Sequence, residues 1–281
     1  MLTIIDVQTL RAQLMEWRRQ EARIALVPTM GNLHAGHMSL IEQARSRAPR
    51  VVVSIFVNPM QFDRVEDLAT YPRTLEEDCR KLRELDTDIV FTPAAKAVYP
   101  HDMKNITRVE VPGLSSILEG TSRPGHFTGV ATVVAKLLNI TQPNIAMFGE
   151  KDYQQLLIIR RMVADLNLPV DIVGLPTVRE PNGLAMSSRN RQLTAEERTQ
   201  ASGLYAVLKC ISDRIRGGER AYIDLEQQAR CDLIGQGFRP DYFSVRRASD
   251  LASPAVCDQN LVVVAAAWLG RVRLIDNIRL H

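Results

Sequence analysis

Through the first 175 residues, short unbroken apolar runs alternate with longer stretches in which apolar positions recur at helical spacing. The runs Ile24–Val27, Val51–Val57, Ile89–Phe91, Ile145–Phe148 and Val170–Leu175 read as strands. Between them, His37–Arg47, Thr74–Leu85, Gly129–Ile140 and Asp152–Leu166 read as helices. Strands of near-continuous Val and Ile with helices in the gaps predict a parallel sheet covered on both faces, an α/β architecture. The texture changes after Pro176. Helical patterns over Ala195–Ile215 and Tyr222–Ile234 precede strand patterns over Tyr242–Arg246, Leu261–Ala267 and Val272–Ile275. That order predicts a smaller α+β domain, which divides the chain into residues 1–176 and 177–281. No internal repeat or low-complexity tract interrupts either part.

Ligands of open parallel sheets bind where strands end and helices begin, so the loops at those ends carry the candidate chemistry. The richest is Val27-Pro-Thr-Met-Gly-Asn-Leu-His34-Ala-Gly36-His37. It reads as the end of a buried strand, a Gly-containing turn and the first turn of a helix. Free backbone N–H groups and the positive end of the helix dipole suit such a place to phosphate. Imidazoles at i and i+3 share a face of that turn, and Gly36 leaves room beside them. By itself a His-x-x-His pair also fits two solvated polar residues. It does not fit the zinc-protease helix, which needs histidines at i and i+4 with an intervening glutamate.

Composition narrows the partners. The 281 residues are 46% hydrophobic and 24% charged, with a net charge of +3 spread along the chain, which describes a soluble globular protein and a poor binder of nucleic acid. The four cysteines lie far apart without C-x-x-C spacing, which points to reduced thiols and a cytoplasmic setting. Asp6, Arg11 and Glu16 break the apolar character of the N-terminus, against a signal peptide. The longest apolar run, Leu261 to Leu269, is far short of the ~20 residues that span a bilayer.

Four further loops carry polar groups. Asn58 and Gln61, in Val57-Asn-Pro-Met-Gln-Phe62, offer amides to a polyhydroxy ligand, although a polar turn begun by Asn-Pro would look the same. Phe148-Gly149-Glu150-Lys151-Asp152 combines a glycine that permits close approach with a compact cation suited to phosphate, and Gln155 lies one turn on. Met186-Ser187-Ser188-Arg189 brings two hydroxyls and a guanidinium into one loop. Arg123-Pro-Gly-His126 is another cationic loop. Glu76, Glu77 and Asp78 fit either an approach to a metal or a solvated helix face, and no protein ligand to a metal is assigned.

In this order and spacing, the histidine loop, Ser54-Ile-Phe-Val-Asn58-Pro-Met-Gln61-Phe, Arg123-Pro-Gly-His-Phe, Gly149-Glu-Lys-Asp152-Tyr-Gln-Gln155 and Met186-Ser-Ser-Arg189-Asn resemble the pantothenate synthetase (pantoate–beta-alanine ligase) family. That family belongs to the nucleotidyltransferases with an H-x-G-H signature, and the likeness runs over nearly the whole chain. It implies a Rossmann-like N-terminal domain, a C-terminal α+β lid domain and a homodimer. It also implies two steps, in which pantoate attacks the α-phosphorus of Mg-ATP and beta-alanine then attacks the pantoyl adenylate. By position, the ATP site takes Met30, Gly31, Asn32, Leu33, His34, Ala35, Gly36 and His37. Gly149, Glu150, Lys151 and Asp152, with Val178, Met186, Ser187, Ser188 and Arg189, complete it. His37, with His34 beside it and Lys151, carries the catalysis, and Gln61, Gln155 and Asn58 hold the acid and amine substrates. Magnesium enters with ATP.

Ala35 stands where the family often has an acidic residue, and Lys81 where a polar neutral or acidic one would sit. Two other readings share the histidine loop: a simple nucleotidyltransferase that leaves a stable nucleotide product, and a nucleotide-binding module without catalysis.

Overall fold

Parallel pairing in the first part of the chain follows from its buried Val- and Ile-rich strands. The computed structural model describes residues 1–62, 65–103 and 105–280. In chain order the first part contains β1 (Leu2–Ile4), α1 (Val7–Arg19), β2 (Ile24–Thr29), α2 (Ala35–Arg45), β3 (Arg50–Ile55), α3 (Val65–Ala69), α4 (Leu75–Glu84) and β4 (Ile89–Phe91). It continues with α5 (Ala95–Val98), α6 (Glu119–Ser122), α7 (His126–Thr141), β5 (Ile145–Gly149), α8 (Tyr153–Asp165) and β6 (Asp171–Leu175). The six strands form one parallel sheet in the order β1-β4-β3-β2-β5-β6. From β2 the chain winds outward through β3 and β4 on one side and returns through β5 and β6 on the other. The switch point of the sheet therefore lies between β2 and β5, beside the loop that carries the histidines.

Alternation along the central strands fills both faces. Ala25, Val27, Val51, Val53, Val90, Ile145 and Met147 pack against Ile41 and Ala44 of α2 and Cys79 and Leu82 of α4. α1 buries Leu10, Leu14 and Trp17 at helical spacing, and Asp6 caps its start by accepting from the Thr9 N–H at 2.7 Å.

The chain divides into two units, Met1–Glu150 with Gln155–Leu175, and Lys151–Gln154 with Pro176–His281. The second contains α9 (Ala195–Gln200), α10 (Gly203–Arg216), α11 (Tyr222–Gly235) and an antiparallel sheet of β7 (Arg239–Arg247), β8 (Leu261–Leu269) and β9 (Val272–Leu280). One face of β8, Leu261, Val263, Ala265, Ala267 and Leu269, joins Phe243 and Leu274 against Leu204, Leu208 and Ile211 of α10 and Leu225, Ala229 and Leu233 of α11. Gly270, at φ +55, turns the chain from β8 into β9.

The apolar run Leu261–Leu269 is a strand over its full length, and Ile89–Phe91 ends where the pattern ends. Three differences from the sequence reading have physical causes. β1 is only three residues long and largely exposed, and α1 sets its apolar positions among Arg and Glu, so neither gives a clean run. The expected helix over Ala195–Ile215 is two helices, because Thr194 and Glu197 form a reciprocal cap on a six-residue piece before α10 begins. β9 extends five residues past Ile275, its alternate positions carrying Arg and Asn rather than apolar side chains.

One close approach positions the functional loops. A Cβ at Gly129 of α7 would sit 2.4 Å from the Met60 carbonyl oxygen and 2.8 Å from the Gln61 nitrogen. α7 therefore lies flush against the turn that carries Gln61, and only glycine permits it. Gly129→Ala is expected to force that turn away, destabilising the protein by about 1–3 kcal/mol in urea unfolding. Unchanged stability would show that the contact does not fix the turn.

Candidate active site

The loop after β2 is held by groups distant in sequence. Leu33 is fully buried in the core under the sheet and acts as its anchor. Gly31, at φ +81, and Asn32, at φ +51, bend the backbone over α4. There the buried carboxylate of Asp78 accepts from the Asn32 N–H at 2.8 Å, the Leu33 N–H at 2.7 Å and the Thr74 hydroxyl at 3.1 Å. Lys81, one turn further, donates to the Leu33 carbonyl at 2.7 Å and pairs with Glu77 at 2.6 Å. The carboxylates expected either to approach a metal or to form a solvated face thus include one, Asp78, that organises the loop. Among the described residues no group of three or more His, Cys, Asp or Glu could hold a metal ion.

The two histidines cap each other's helix end. His34 precedes α2, and its Nδ1 accepts from the Gly36 N–H at 3.1 Å, while Nδ1 of His37 accepts from the His34 N–H at 3.3 Å. Their ring centroids lie 4.1 Å apart. A backbone N–H only donates, so each Nδ1 is an acceptor and each neutral ring carries its proton on Nε2. The N–H groups of Asn32, Leu33, His34 and Gly36 are all engaged, which leaves fewer free backbone donors at the helix start than the sequence led one to expect. Leu33, expected among the ATP contacts, is instead core. Met30, Gly36 and His37 remain partly accessible and Ala35 is exposed.

A second cluster forms after β3. Asn58 is buried and begins the turn Pro59–Gln61. Its Nδ2 donates to Gln61 Oε1 at 3.0 Å and to the Gly129 carbonyl at 3.1 Å. Its Oδ1 accepts from the Tyr99 hydroxyl at 2.8 Å and the Met60 N–H at 3.3 Å. Every hydrogen-bonding position of the amide is spent inside the fold, so the expected substrate contact at Asn58 is corrected to an orienting role on Gln61. Burial pushes the Tyr99 phenol well above its ordinary range, which keeps it a donor. The loop Arg123–His126 fastens the same turn: Arg123 donates to the Gln61 carbonyl at 3.2 Å and His126 Nδ1 donates to it at 2.9 Å. Tyr99 and Gly129 had escaped the sequence reading. A glycine inside a strongly apolar helix was the available signal for the second.

Gly149 ends β5 with open space on the side where a Cβ would stand. Gln155, on α8, is partly accessible. Cys79 is buried and its thiol pushed up by burial, so it is no activated nucleophile.

In the second unit, Lys151 follows Glu150 in the turn Glu150–Asp152, and its carbonyl accepts from Asn277 Nδ2 at 2.9 Å. Nearby on β9, Asp276 is buried and holds Arg179 in a two-pronged pair at 2.5 and 2.9 Å. Burial pushes the Asp276 carboxyl up, and the charges of Arg179 and Lys151 oppose that. Arg179 also stacks 3.8 Å from the Tyr205 ring centroid. Met186 donates its N–H to the Val178 carbonyl at 2.9 Å, which ties the two ends of the loop together. Ser187 caps the following turn by accepting from the Arg189 N–H at 3.2 Å, and Arg189 is exposed. Buried Asn190 braces the loop through Glu180 and the Ala185 carbonyl.

Comparison with known proteins gives a consistent result. The family described as pantoate-beta-alanine ligase matches residues 2–279. A pantothenate synthetase from Thioalkalivibrio sulfidiphilus is 56% identical over 278 residues, covering 99% of this chain and 97% of the relative. The crystal structure of pantothenate synthetase from Thermus thermophilus superposes with a TM-score of 0.92 at 43% identity, covering 99% of both chains. Pantoate-beta-alanine ligase from Francisella tularensis, solved in complex with beta-gamma ATP and beta-alanine, gives a TM-score of 0.82 at 36% identity, covering 99% of this chain and 97% of that one.

Replacing Asp78 by Asn keeps the shape but removes the charge and puts an NH₂ group where an acceptor is needed. Asp78→Asn is expected to destabilise the protein by about 1–3 kcal/mol in urea unfolding. It should also raise the KM for ATP at least fivefold, because the loop bearing both histidines loses its tether. Wild-type stability together with wild-type KM would remove Asp78 from this role.

Proposed function

Because the chain belongs to the pantoate–beta-alanine ligase family, we propose that it condenses pantoate with beta-alanine at the expense of ATP, through the residue roles that follow. The pantoate carboxylate attacks the α-phosphorus of ATP and pyrophosphate leaves. The amine of beta-alanine then attacks the acyl carbon of pantoyl adenylate, loses a proton, and expels AMP as pantothenate forms.

The observation that carries the reading is the reciprocal capping of His34 and His37, with both Nδ1 atoms acceptors. It supports two Nε2–H donors, side by side at the switch point of the sheet, directed to the phosphate chain. A carboxylate that approaches a polyanion needs donors that strengthen as charge moves onto the leaving pyrophosphate, and fixed donors supply this without reorganisation. His37 donates to the phosphates with His34 beside it. Lys151 adds a compact positive charge, and Ser187, Ser188 and Arg189 add further donors. Met30, Gly31, Asn32, Ala35, Gly36, Gly149, Glu150, Asp152, Val178 and Met186 line the nucleotide. Gln61 and Gln155 hold pantoate, and Asn58 orients Gln61 for it.

Magnesium enters as a companion of ATP, and no step is routed through a protein ligand to it. The protein works as a cytoplasmic homodimer. The family likeness supports both points, and no helix among the described residues is long and apolar enough to cross a membrane.

Pantoate-dependent exchange of labelled pyrophosphate into ATP, run without beta-alanine, tests the reading. The parent protein should exchange, and His37→Ala should lower the rate by about 10²–10³-fold, the usual cost of one preorganised donor. Lys151→Ala should raise the KM for ATP and lower kcat together. A parent that makes pantothenate without exchange, or a His37→Ala protein that exchanges at the parental rate, contradicts the proposal.

A further inference from the structure

At the opposite ends of the strands from the histidine loop, the N-terminal unit contains a recess of about 390 Å³. Arg50 opens β3 and Leu2 opens β1, whereas the loops already described follow the last residues of β2 and β3. The volume is that of a small-molecule site rather than a packing defect. Its charged wall is Arg45, Arg50 and Arg83 with Asp86 and Asp88, and its apolar wall is Leu2 and Trp17.

The charges are not balanced within the recess. Asp88 is already engaged on both oxygens. It pairs with Arg45 at 2.8 Å and Arg50 at 3.0 Å, and accepts from the Val51 N–H at 2.9 Å. Each arginine uses only Nη1 for that carboxylate. Arg50 also lies over Trp17, its guanidinium carbon 5.1 Å from the ring centroid. Arg83 is exposed, and its guanidinium makes no ion pair or hydrogen bond among the described residues. A second observation is independent of these charges. Thr87, another wall residue, is 2% exposed, and its hydroxyl has no hydrogen-bond partner among the described residues. A buried hydroxyl without a partner in the protein keeps both its donor and its acceptor capacity.

We infer that this recess binds a small organic phosphate, its phosphate on the guanidinium groups of Arg45, Arg50 and Arg83 and its organic part against Leu2 and Trp17. Planar guanidinium groups offer paired donors to tetrahedral phosphate oxygens, and two of the three here are already oriented by Asp88. The recess lies within the N-terminal unit and uses none of the residues proposed for ATP or pantoate.

Trp17 reports on occupancy directly. The chain has two tryptophans, so Trp268→Phe leaves Trp17 as the sole tryptophan, excited selectively at wavelengths where tyrosine does not absorb. Titration of that protein with glycerol 3-phosphate at constant ionic strength should change Trp17 emission saturably, and glycerol alone should not. Arg83→Gln in the same background should weaken the response at least tenfold while leaving the melting temperature and pyrophosphate exchange unchanged. His37→Ala in that background should keep the response, which separates the recess from the nucleotide site. A flat or non-saturating titration, an equal response in Arg83→Gln, or a response lost with His37→Ala overturns the inference.

Discussion

The carboxylate of Asp78 on α4 receives two consecutive backbone N–H groups, those of Asn32 and Leu33, and on this contact the histidine loop depends. A loop that leaves a buried strand and bends through two residues of positive φ has backbone donors that find no partner in a sheet or helix. One buried carboxylate meets both, and Lys81, one turn along the same helix, meets the Leu33 carbonyl. With Leu33 sunk in the core, the loop is fixed from below on three sides. Its upper face is left to His34 and His37.

From that constraint the chemistry follows by elimination of donors. Helix N-termini ordinarily offer backbone N–H groups to phosphate. Here the N–H groups of Asn32 and Leu33 are taken by the Asp78 carboxylate, and those of His34 and Gly36 by the Nδ1 atoms of the histidines themselves. The capping arrangement converts backbone donors into side-chain donors, because each ring that accepts at Nδ1 donates at Nε2. The same economy recurs after β3. Asn58 spends its amide on Gln61, Gly129, Tyr99 and Met60, so that Gln61 stands in one orientation above α7. In both places a buried polar group with every bond satisfied fixes a more accessible neighbour, as preorganised sites require.

Local pattern was enough to reveal the elements that bury apolar residues at a regular period. β4 and β8 stand where continuous Val, Ile and Leu put them, and the antiparallel second sheet follows from strands close in sequence. Elements that mix charge with short apolar content, β1 and α1, gave no such signal. The histidine, amide and Gly-Glu-Lys loops were legible as residue types at strand ends. What held them was not. Asp78 lies 46 residues from Asn32, and Gly129 lies 71 from Asn58, so their partnership is a property of the folded sheet. Residue type also misled in two places. Leu33 belongs to a ligand loop by position but to the core by burial, and Asn58 looked available until its four bonds were found within the protein.

The most direct test of this account is the tautomeric state of the paired imidazoles. In protein labelled with ¹⁵N at histidine, nitrogen–proton correlation spectra of the unliganded enzyme, recorded above the imidazole titration range, distinguish a protonated Nε2 from a protonated Nδ1. His34 and His37, assigned by single substitution, should both carry the proton on Nε2, with Nδ1 showing the shift of an acceptor nitrogen. A proton on Nδ1 of either ring would mean that the backbone does not donate there, and would contradict the account of how the loop presents its donors.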